Sequence, residues 1–482
     1  MSNLTDLLPA GAGGKQVSFV ASGTIGNGIT VGLNSDGTVQ AVTSFSDSAG
    51  TPFVFAESSV NPVAVAYDFA NNKIVIAYGD VSNSGYGTAV VGTVSGSSIS
   101  FGTPTVFNNT GTTSSLNAAY DTNSSKIVLA YRDNSNSFYG TAIVGTVSGT
   151  SISFGSEVVF ASVNAVYNSI TYDSANAKVI ISFRNVNNSN YGTSIVGTVS
   201  GTSISFGSSS VFESAQTDRI SSAFDSTNNK VIIAYQDNGN SAYGTAIVGT
   251  VSGTSISFGT ASVFESANTS EISMAYNSNT GKAVIGYQDN GNSAYGTAII
   301  GAISGTSISF GTAVVFESNN TNNIAVTSNG NTAKNVISYT HAANSYKGTS
   351  IVGAVSGTSI SFGSSVIFED GQTSNVSSVY NSAAQKVIIG YRDTSNSSYG
   401  TSVVFQVAGS NNTDFIGITD AAISDTASGS VTIKGGISTN VIGLTPNQNY
   451  YVQADGTLST TASDVLAGKA LSSTSINLDY TT

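Results

Sequence analysis

The stretch Thr250-Val-Ser-Gly-Thr-Ser-Ile-Ser-Phe-Gly259 decides the fold, because near-copies of it recur along the middle of the chain at an almost constant period. One phenylalanine marks each of six copies, at spacings of 53, 52, 52, 52 and 52 residues: Phe101, Phe154, Phe206, Phe258, Phe310 and Phe362. A lysine ladder keeps the same period: Lys73, Lys126, Lys178, Lys230, Lys282, Lys334 and Lys386. So does a second phenylalanine ladder: Phe55, Phe107, Phe160, Phe212, Phe264, Phe316 and Phe368. Such a period indicates one supersecondary unit repeated along the chain.

Within one repeat, short runs of β-branched and aromatic residues alternate with turn residues. Lys230-Val-Ile-Ile-Ala-Tyr235 and Tyr243-Gly-Thr-Ala-Ile-Val-Gly-Thr-Val251 are two such runs, and Ser252-Gly253 is a hairpin signal after the second. This composition and punctuation are typical of strands and hairpins. No window has a sustained apolar stripe at helical spacing. The sequence therefore predicts four antiparallel strands per repeat, which is the arrangement of a propeller blade.

The two ends of the repeat array predict that it closes on itself. The last repeat has three of its strands, up to Val407, and leaves the pattern after Gly409. A fourth strand is available at the other end, in Gln40-Ala-Val-Thr-Ser-Phe45 and Thr51-Pro-Phe-Val-Phe55, and its pairing would remove an exposed sheet edge. We predict an all-β chain: a seven-bladed β-propeller of ~52-residue four-stranded repeats, closed by an N-terminal strand. The alternative is an open solenoid, which would need capping units.

The residues outside the repeats predict a second, smaller β structure. We expect an N-terminal β segment at 1–39, the propeller at 40–408 and a C-terminal β domain at 409–482. Asp-Gly occurs in both end segments between alternating runs, which is a hairpin signal. Since both ends would leave the propeller at the same blade, we expect them to form one small β module. Such a module is a natural attachment point to a larger assembly.

Composition excludes several classes of function. Charged residues are only 9% of the chain, the formal net charge is −12 and there is no cysteine. A strongly acidic chain without clustered Lys and Arg is not expected to bind nucleic acid, and no apolar run is long enough for a membrane-spanning helix. The first ten residues lack the basic patch and apolar stretch of a Sec signal peptide. We therefore expect a protein made in a cytoplasm without an export signal, as virion proteins released by lysis are.

Both end segments carry a resemblance to a known class of protein. The run Gly-Leu-Thr-Pro…Tyr-Tyr-Val-Gln-Ala-Asp-Gly-Thr-Leu-Ser-Thr…Ala-Gly-Lys-Ala-Leu-Ser at 443–472 resembles the C-terminal segment of tail-fibre-like structural proteins of tailed phages, marine and cyanobacterial ones in particular. The opening at 8–24 resembles their N-terminal segment, and the Tyr-Gly-Thr-Ala-Ile-Val-Gly repeat is similar to repeats in such proteins. The resemblance implies a virion structural role and virion localisation, and it implies no catalytic residues.

The polar loops that follow the lysine runs are the candidate binding sites. A loop such as Asp237-Asn-Gly-Asn-Ser241 offers carboxylate and amide oxygens to Ca²⁺ or to sugar hydroxyls, although turn formation alone explains these residues too. The tyrosine that follows each loop either stacks on a sugar or packs between repeats. The candidate glycan-binding residues are Asp133, Asp237, Asp289, Asn238, Asn290, Tyr139, Tyr191, Tyr243 and Tyr295. No loop has EF-hand spacing, so we predict no metal site and no cofactor.

Two other repeated features have a structural and a functional interpretation. The tyrosine ladder continues to Tyr346 in an irregular sixth repeat, where Tyr346-Lys347-Gly348 replaces Tyr-Gly. Each ladder lysine follows a polar turn that opens, in most repeats, with Asp or Asn. We expect the aspartate and the lysine to brace that hairpin, each pair contributing about 0–1 kcal/mol at an exposed site. The alternative is a ring of cations that attracts anionic glycans.

Catalytic residues are not evident. His341 is the single histidine, so a nucleophile–histidine device has one candidate only. Arg132, Arg184 and Arg392 occupy equivalent repeat positions and would converge, as a sialidase requires, only near the axis of a ring. A polysaccharide-degrading enzyme needs one pair of carboxylates, and acids placed by repetition single out none.

The sequence therefore predicts a non-enzymatic virion structural protein, such as a tail fibre, spike or surface appendage, present in many copies per particle. It would dock on other virion proteins through its N- and C-terminal segments and display the propeller, with host-surface glycans as further partners. The alternative is a propeller lectin or adhesin that binds glycans through its blade loops. A polysaccharide-degrading enzyme is the least favoured.

Overall fold

The computed structural model describes residues 15–34 and 36–478, which form two compact units. The larger unit spans residues 47–407, and the smaller unit combines the chain up to residue 46 with the chain from residue 408 onward. Almost every regular element is a β-strand. Short 3-10 turns lie at Val81–Asn83, Asn238–Asn240, Asn290–Asn292, Ala342–Asn344 and Asn412–Asp414. The chain is therefore all-β.

The larger unit is a repeated meander built from four kinds of strand. The long strands are Phe53–Asp68, Val158–Asp173, Ser210–Asp225, Ser262–Asn277, Val314–Ser328 and Val366–Asn381, and one is split into Thr105–Asn108 and Thr113–Asp121. The second strands are Lys73–Asp80, Lys126–Asp133, Lys178–Asn185, Lys230–Asp237, Lys282–Asp289, Lys334–His341 and Lys386–Asp393. The third strands are Tyr86–Ser95, Tyr139–Ser148, Tyr191–Ser200, Tyr243–Ser252, Tyr295–Ser304, Lys347–Ser356 and Tyr399–Gln406. The short strands are Ser98–Phe101, Ser151–Phe154, Ser203–Phe206, Ser255–Phe258, Ser307–Phe310 and Ser359–Phe362, and Ser48–Ala49 is an additional two-residue strand.

Each long strand belongs to two consecutive repeats. In the fourth repeat Asp225 pairs with Lys230, and Asp237 pairs with Tyr243. The long strand Ser262–Asn277 then pairs back on the third strand through Val263 opposite Thr245, while its far end pairs with the second strand of the next repeat. The long strand therefore serves as the outer strand of one repeat and the first strand of the next.

The last repeat takes its outer strand from the beginning of the larger unit. Its third strand Tyr399–Gln406 pairs with Ser48–Ala49 and with Phe53–Asp68, in the register that places Thr401 opposite Val54. The long strands lie side by side in sequence order, and Val366–Asn381 contacts Phe53–Asp68. The Val65 N–H donates to Ser377 Oγ at 3.2 Å, as the Met274 N–H does to Ser221 Oγ at 3.0 Å between two internal repeats. The first and last repeats are therefore joined by the same kinds of contact as internal neighbours.

Adjacent repeats are held together by an aromatic seam, a cluster of rings that sequence analysis did not identify. Phe212, on the outer strand of one repeat, lies 5.3 Å from the Tyr235 ring and 5.8 Å from the Phe258 ring of the next repeat. The Tyr235 hydroxyl donates to Glu213 Oε2 at 3.0 Å. The same arrangement at Phe55, whose ring lies 5.4 Å from that of Tyr78, joins the last repeat to the first. Tilted rings at these separations add to the stabilisation from burial.

The aromatic seam recurs between the other repeats and explains why the repeated Tyr-Gly-Thr motif contains a glycine. A Cβ atom added to Gly244 would lie 2.4 Å from the Phe264 ring, which is closer than non-bonded carbons approach. The ring can therefore close over the strand only where the side chain is a hydrogen atom. Tyrosine in this seam comes from the second strands, whereas the tyrosines that begin the third strands, such as Tyr243, are only half-buried.

Raising the pH above about 10 is expected to destabilise the fold. Burial, together with the nearby Asp121 and Asp225 carboxylates, raises the pKa of Tyr172 and of Tyr276 to about 12. Burial first and the glutamate partner second raise the pKa of the seam tyrosines Tyr235 and Tyr287 further. A phenol whose folded-state pKa is raised stabilises the fold fully below its unfolded pKa, and that contribution is lost as the pH rises through the folded value.

The melting temperature should therefore be nearly constant from pH 7 to 9 and fall progressively above about pH 10. Ultraviolet titration of tyrosinate should show that most of these phenols ionise only as the protein unfolds. Ionisation of all the tyrosines near their ordinary pKa, with an unchanged melting temperature, would contradict this account of the seam.

The lysine ladder makes different contacts from those we expected. Lys230 Nζ donates to Thr250 Oγ1 at 3.0 Å, and Lys73 and Lys178 make the same bond to the third strand of their own repeats. Asp225 instead accepts the backbone N–H of Thr227 and of Asn228, both at 2.9 Å. The predicted Asp–Lys brace is therefore wrong for this hairpin, because the carboxylate is occupied by the turn and the lysine reaches across to the next strand.

The smaller unit interleaves the two ends of the chain. Its first sheet has the strand order Gln16–Val20, Ser428–Ile433, Phe415–Thr419, Thr30–Leu33 and Val39–Ala41. Its second sheet has the order Ile437–Ser438, Ile476–Leu478, Leu466–Ala470, Asn449–Val452 and Leu458–Ser459. Ser44–Phe45 pairs with Gly409–Ser410.

Sequence analysis placed residues 40–45 in the last blade, but the structure places them in the smaller unit. Val39–Ala41 pairs with Thr30–Leu33 as a hairpin, and Phe45 lies opposite Gly409. The Asp36 carboxylate accepts the Thr38 N–H at 3.0 Å in the intervening turn. This turn fixes a local hairpin, so the strand that completes the last repeat begins later, at Ser48 and Phe53.

Candidate functional site

The three candidate aspartates cap turns. Asp237 Oδ1 accepts the Gly239 N–H at 3.0 Å, and Asp289 Oδ1 accepts the N–H of Gly291 and of Asn292. Asp133 Oδ1 accepts the N–H of Ser135 at 3.0 Å. All three side chains are buried. Their turn-forming role is thus visible in the structure, while their predicted contact with glycans stays a prediction.

The candidate asparagines and tyrosines lie around the same loops. Asn238 Nδ2 donates to Asp218 Oδ2 at 2.9 Å, and Asn290 Nδ2 donates to Ser270 Oγ at 3.0 Å. The four candidate tyrosines are half-buried, each at the first position of a third strand: Tyr139, Tyr191, Tyr243 and Tyr295. The structure therefore puts these residues in equivalent places on successive repeats and does not gather them into one site.

The sixth repeat departs from the others at this same edge. Lys347 stands opposite His341, where Tyr295 stands opposite Asp289 one repeat earlier. Tyr346 therefore does not belong to the tyrosine ladder, as sequence analysis had it, but occupies the position of Ala294. Its side chain is 47% exposed. Lys347 Nζ forms an ion pair with Asp370 Oδ1 at 2.6 Å.

A polar cleft opens between the sixth and seventh repeats. It has a volume of about 370 Å³, and Tyr346 forms part of its wall. Hydroxyl and amide side chains line it, including Asn323, Gln372 and Thr394, with Glu271 as its single charged group. Ser374 also lines the cleft, and its Oγ is buried with no hydrogen-bond partner among residues 15–34 and 36–478. The cleft thus presents many neutral hydrogen-bonding groups and one exposed aromatic ring.

The short side chain of Thr340 explains why the cleft is open between these two repeats. In the fourth and fifth repeats the penultimate residue of the second strand is Gln236 or Gln288. Gln288 Nε2 donates to the Thr321 carbonyl of the next long strand at 2.7 Å, so its side chain spans the gap between repeats. Thr340 occupies this position in the sixth repeat and reaches the Thr373 carbonyl at 3.2 Å with a much shorter side chain. The missing length of side chain leaves space for the cleft.

A second cavity of about 240 Å³ lies among the long strands of several repeats. Arg219 and Glu271 form an ion pair of 3.0 Å at this cavity. The Arg184 and Arg219 guanidinium carbons lie 4.9 and 5.6 Å from the centre of the Tyr167 ring. Arg184 also forms an ion pair with Asp218. Two arginines therefore approach one ring, but each is already paired with a carboxylate.

Arg132 and Arg392 take no part in the contacts with Tyr167, Asp218 and Glu271. Burial, with a smaller effect from the charge of Arg184, lowers the pKa of Arg132. Arg132 Nε donates to Ser114 Oγ at 3.0 Å, and Arg392 Nη2 donates to Ser398 Oγ at 2.9 Å. Each of the three equivalent arginines bonds to a different neighbour: Arg132 to Ser114, Arg184 to Asp218 and Arg392 to Ser398. Their positions do not define a shared carboxylate-binding site.

The described part of the chain contains no group of three or more His, Cys, Asp or Glu side chains placed to hold a metal ion. Within the same residues there is no helix with the length and apolar character of a membrane span.

Comparison with known proteins shows the fold. No family model matches the chain, and no curated protein matches its sequence. Among solved structures, the BP39L lectin from Burkholderia pseudomallei aligns with a TM-score of 0.52 at 8% identity, over 77% of this chain and 100% of that one. Sqt1 from Saccharomyces cerevisiae aligns with a TM-score of 0.46 at 10% identity, over 75% of this chain and 100% of that one. AofleA from Arthrobotrys oligospora aligns with a TM-score of 0.40 at 10% identity, over 71% and 98%. The likeness to the first of these shows that the repeats form a β-propeller fold.

Proposed function

We propose that this protein is a carbohydrate-binding β-propeller whose main sugar site is the cleft between the sixth and seventh repeats. The observation that carries the proposal is the paired change in the sixth repeat, where Thr340 replaces a bridging glutamine and Tyr346 replaces alanine. The first change creates space, and the second adds an exposed ring to it. The second repeat also has an exposed ring at the position of Tyr346, Phe138, but there the longer Arg132 stands in the place of Thr340. The sixth repeat combines the ring with a short side chain.

The chemistry of the cleft fits a neutral sugar. Hydroxyl and amide groups both donate and accept hydrogen bonds, as sugar hydroxyls do, and the Tyr346 ring offers an apolar face to the C–H side of a pyranose. Glu271 is the only charge in the lining, so the cleft gives no reason to select an anionic ligand. An open polar cleft of this kind buries little apolar area, and each site is expected to bind weakly.

We further propose that the seven repeats close into a ring. The pairing of Tyr399–Gln406 with Phe53–Asp68 and the seam between Phe55 and Tyr78 support closure. Closure leaves no unpaired repeat at either end of the array, which would otherwise be a site for aggregation. It also holds the sixth and seventh repeats in one fixed geometry across the cleft.

A second proposal concerns where the propeller acts. The resemblance of residues 443–472 to segments of tail-fibre-like phage proteins favours a virion appendage that docks through the smaller unit. That unit is built from both chain ends, as an attachment module would be. Many copies on one particle would turn weak sugar binding into firm adhesion through avidity. Antibody labelling of intact particles is the measurement that tests this placement, and labelling of cells alone would overturn it.

The cleft is tested by giving the sixth repeat the residues of the fifth. Thr340→Gln and Tyr346→Ala each give the sixth repeat the residue of the fifth, so both variants are expected to fold. Tetramerised wild-type protein should bind a subset of neutral glycans on an array, and each variant should lose most of that binding. The expected loss is on the order of tenfold for the removal of one aromatic wall or the filling of the cleft. Tyr243→Ala and Tyr295→Ala serve as controls and should retain binding.

Two outcomes would contradict the proposal. If the control variants lose binding while Thr340→Gln keeps it, the blade loops and not the cleft carry the function. The second outcome is catalysis. If incubation with glycans releases reducing ends, and changing one carboxylate abolishes that release, the protein is an enzyme and not a binding module.

A further inference from the structure

One position in the repeat is apolar in six copies and polar in one. It lies on the long strand, at the level of the second cavity described above. Its occupants in chain order are Val63, Leu116, Asn168, Ile220, Ile272, Ile324 and Val376. The long strands lie side by side here, so these side chains form one ring, which we call the axial ring. Asn168 is its only polar member.

The Asn168 amide is buried without a partner. Its side chain is 2% exposed, and neither Oδ1 nor Nδ2 has a hydrogen-bond partner among the residues that the structure describes. The backbone carbonyl of Asn168 is satisfied, since it accepts from Asn117 Nδ2 at 2.6 Å. An unpaired buried polar group costs about 1–3 kcal/mol. Isoleucine, present in three other repeats, would avoid that cost.

The residue that carries the unpaired amide lies at a cavity. Asn168 lines the space of about 240 Å³, together with the apolar side chains of Leu116, Ile220 and Ile272. This volume is several times the ~30 Å³ share of one water molecule. The cavity therefore combines an apolar wall with one amide that offers both a donor and an acceptor.

The other lining groups are polar and lie at the bulge that each long strand makes at this level. Tyr167, Arg219 and Glu271 line the cavity at one position before the axial ring, and all three have positive φ angles, of 54°, 52° and 50°. Ser115, Asn323 and Asn375 share this conformation, which accompanies a shift of register in the long strand of each repeat. Glu271 is saturated by Arg219 and by the Asn323 N–H at 2.8 Å. Arg219 keeps further N–H donors, because its ion pair uses Nη1.

We propose that the axial cavity binds the acetamido group of an N-acetylated amino sugar. The methyl group packs against Leu116, Ile220 and Ile272. The acetamido N–H donates to Asn168 Oδ1, and the hydroxyl on the neighbouring ring carbon accepts from Asn168 Nδ2. The remaining hydroxyls face the polar groups at Tyr167 and Arg219.

Other ligand classes satisfy this cavity less well. A purely apolar molecule would leave the Asn168 amide unpaired. A free amine or a carboxylate would bring a charge against apolar side chains, beside an Arg219–Glu271 pair that is already neutral. A sugar without the acetamido group lacks the methyl that fills the apolar wall. The acetamido group is uncharged and combines a small apolar body with an N–H donor.

This inference rests on the proposed carbohydrate binding for its ligand class, but it uses a different set of side chains from the Thr340–Tyr346 pair. The two sites can therefore fail separately. Asn168→Ile should empty the axial site and leave the cleft intact, whereas Thr340→Gln should do the reverse.

Saturation-transfer NMR of the full chain with N-acetylglucosamine, glucosamine and glucose tests the proposal. N-acetylglucosamine should bind most strongly, with the largest saturation on its methyl protons. Asn168→Ile should weaken its binding on the order of tenfold, as expected for the loss of one or two hydrogen bonds, and should melt at the same or a higher temperature. Asn168→Leu, which copies the second repeat, is the second variant. Equal binding of the three sugars, or unchanged N-acetylglucosamine binding in both folded variants, would overturn the proposal.

Discussion

A chain of residues 57–407 is expected to aggregate or to melt far below a chain of residues 47–407. Both chains lack the smaller unit, and they differ only in the segment that pairs with the last repeat. The longer chain keeps Ser48–Ala49 and the beginning of Phe53–Asp68, which pair with Tyr399–Gln406. In the shorter chain that third strand stays paired with Lys386–Asp393 on one edge but loses most of its partner on the other. An unpaired strand edge promotes association between chains.

The loss goes beyond hydrogen bonds. Phe55 is buried in the seam against the rings of Tyr78 and Phe101, at 5.4 and 5.9 Å. Its removal exposes both rings and separates the last repeat from the first. Size-exclusion chromatography and thermal melting of the two chains measure the effect. A monomeric 57–407 chain with the melting temperature of the 47–407 chain would contradict closure of the ring.

The strands of the larger unit could be predicted because the sequence repeats them. Each run of the fourth repeat, such as Lys230–Tyr235 or Ser255–Phe258, lies in a strand. Repetition supplied seven examples of one pattern, so local ambiguity in any one repeat was resolved by the others. The same averaging hid what is particular to one repeat. The repeat pattern assigns Tyr346 to the tyrosine ladder, because it is the tyrosine nearest the expected position. The strand register instead places Lys347 at that position.

Side-chain partners were less predictable than strands. Asp225 and Lys230 are neighbours across a hairpin, yet each bonds elsewhere, since a turn N–H lies closer to the carboxylate than the lysine does. The seam between Phe212 and Tyr235 joins two repeats, and no pattern within one repeat shows which aromatic residues meet across that boundary. Both candidate sites, by contrast, left a signal in the sequence. Asn168 is polar where the other six repeats are apolar, and Thr340 is shorter than the Gln or Arg that five of the other repeats have at its position.

Phe264→Ala is expected to lower the free energy of unfolding by about 3–5 kcal/mol, the range for truncation of a buried aromatic side chain. The ring lies 5.3 Å from that of Tyr287 and 5.7 Å from that of Phe310, both in the next repeat. Its loss leaves a void between two repeats that their rigid strands cannot fill. Val263→Ala is the matched control, because Val263 is the preceding residue on the same strand and is 44% exposed. The control should change stability by less than about 0.5 kcal/mol.

The shape of the unfolding curve tests the architecture as well as the contact. In a closed ring, both neighbours of the damaged seam remain tied to each other around the other side, so Phe264→Ala should shift one cooperative transition to lower denaturant. In an open array, stability is a sum of repeat and interface terms, and a weakened interface in the middle should split the transition in two. Urea denaturation followed by tyrosine fluorescence and by far-ultraviolet circular dichroism distinguishes these results. Two separate transitions in the variant would contradict the closed ring. A loss of stability no larger than that of Val263→Ala would show that the seam does not stabilise the contact between repeats.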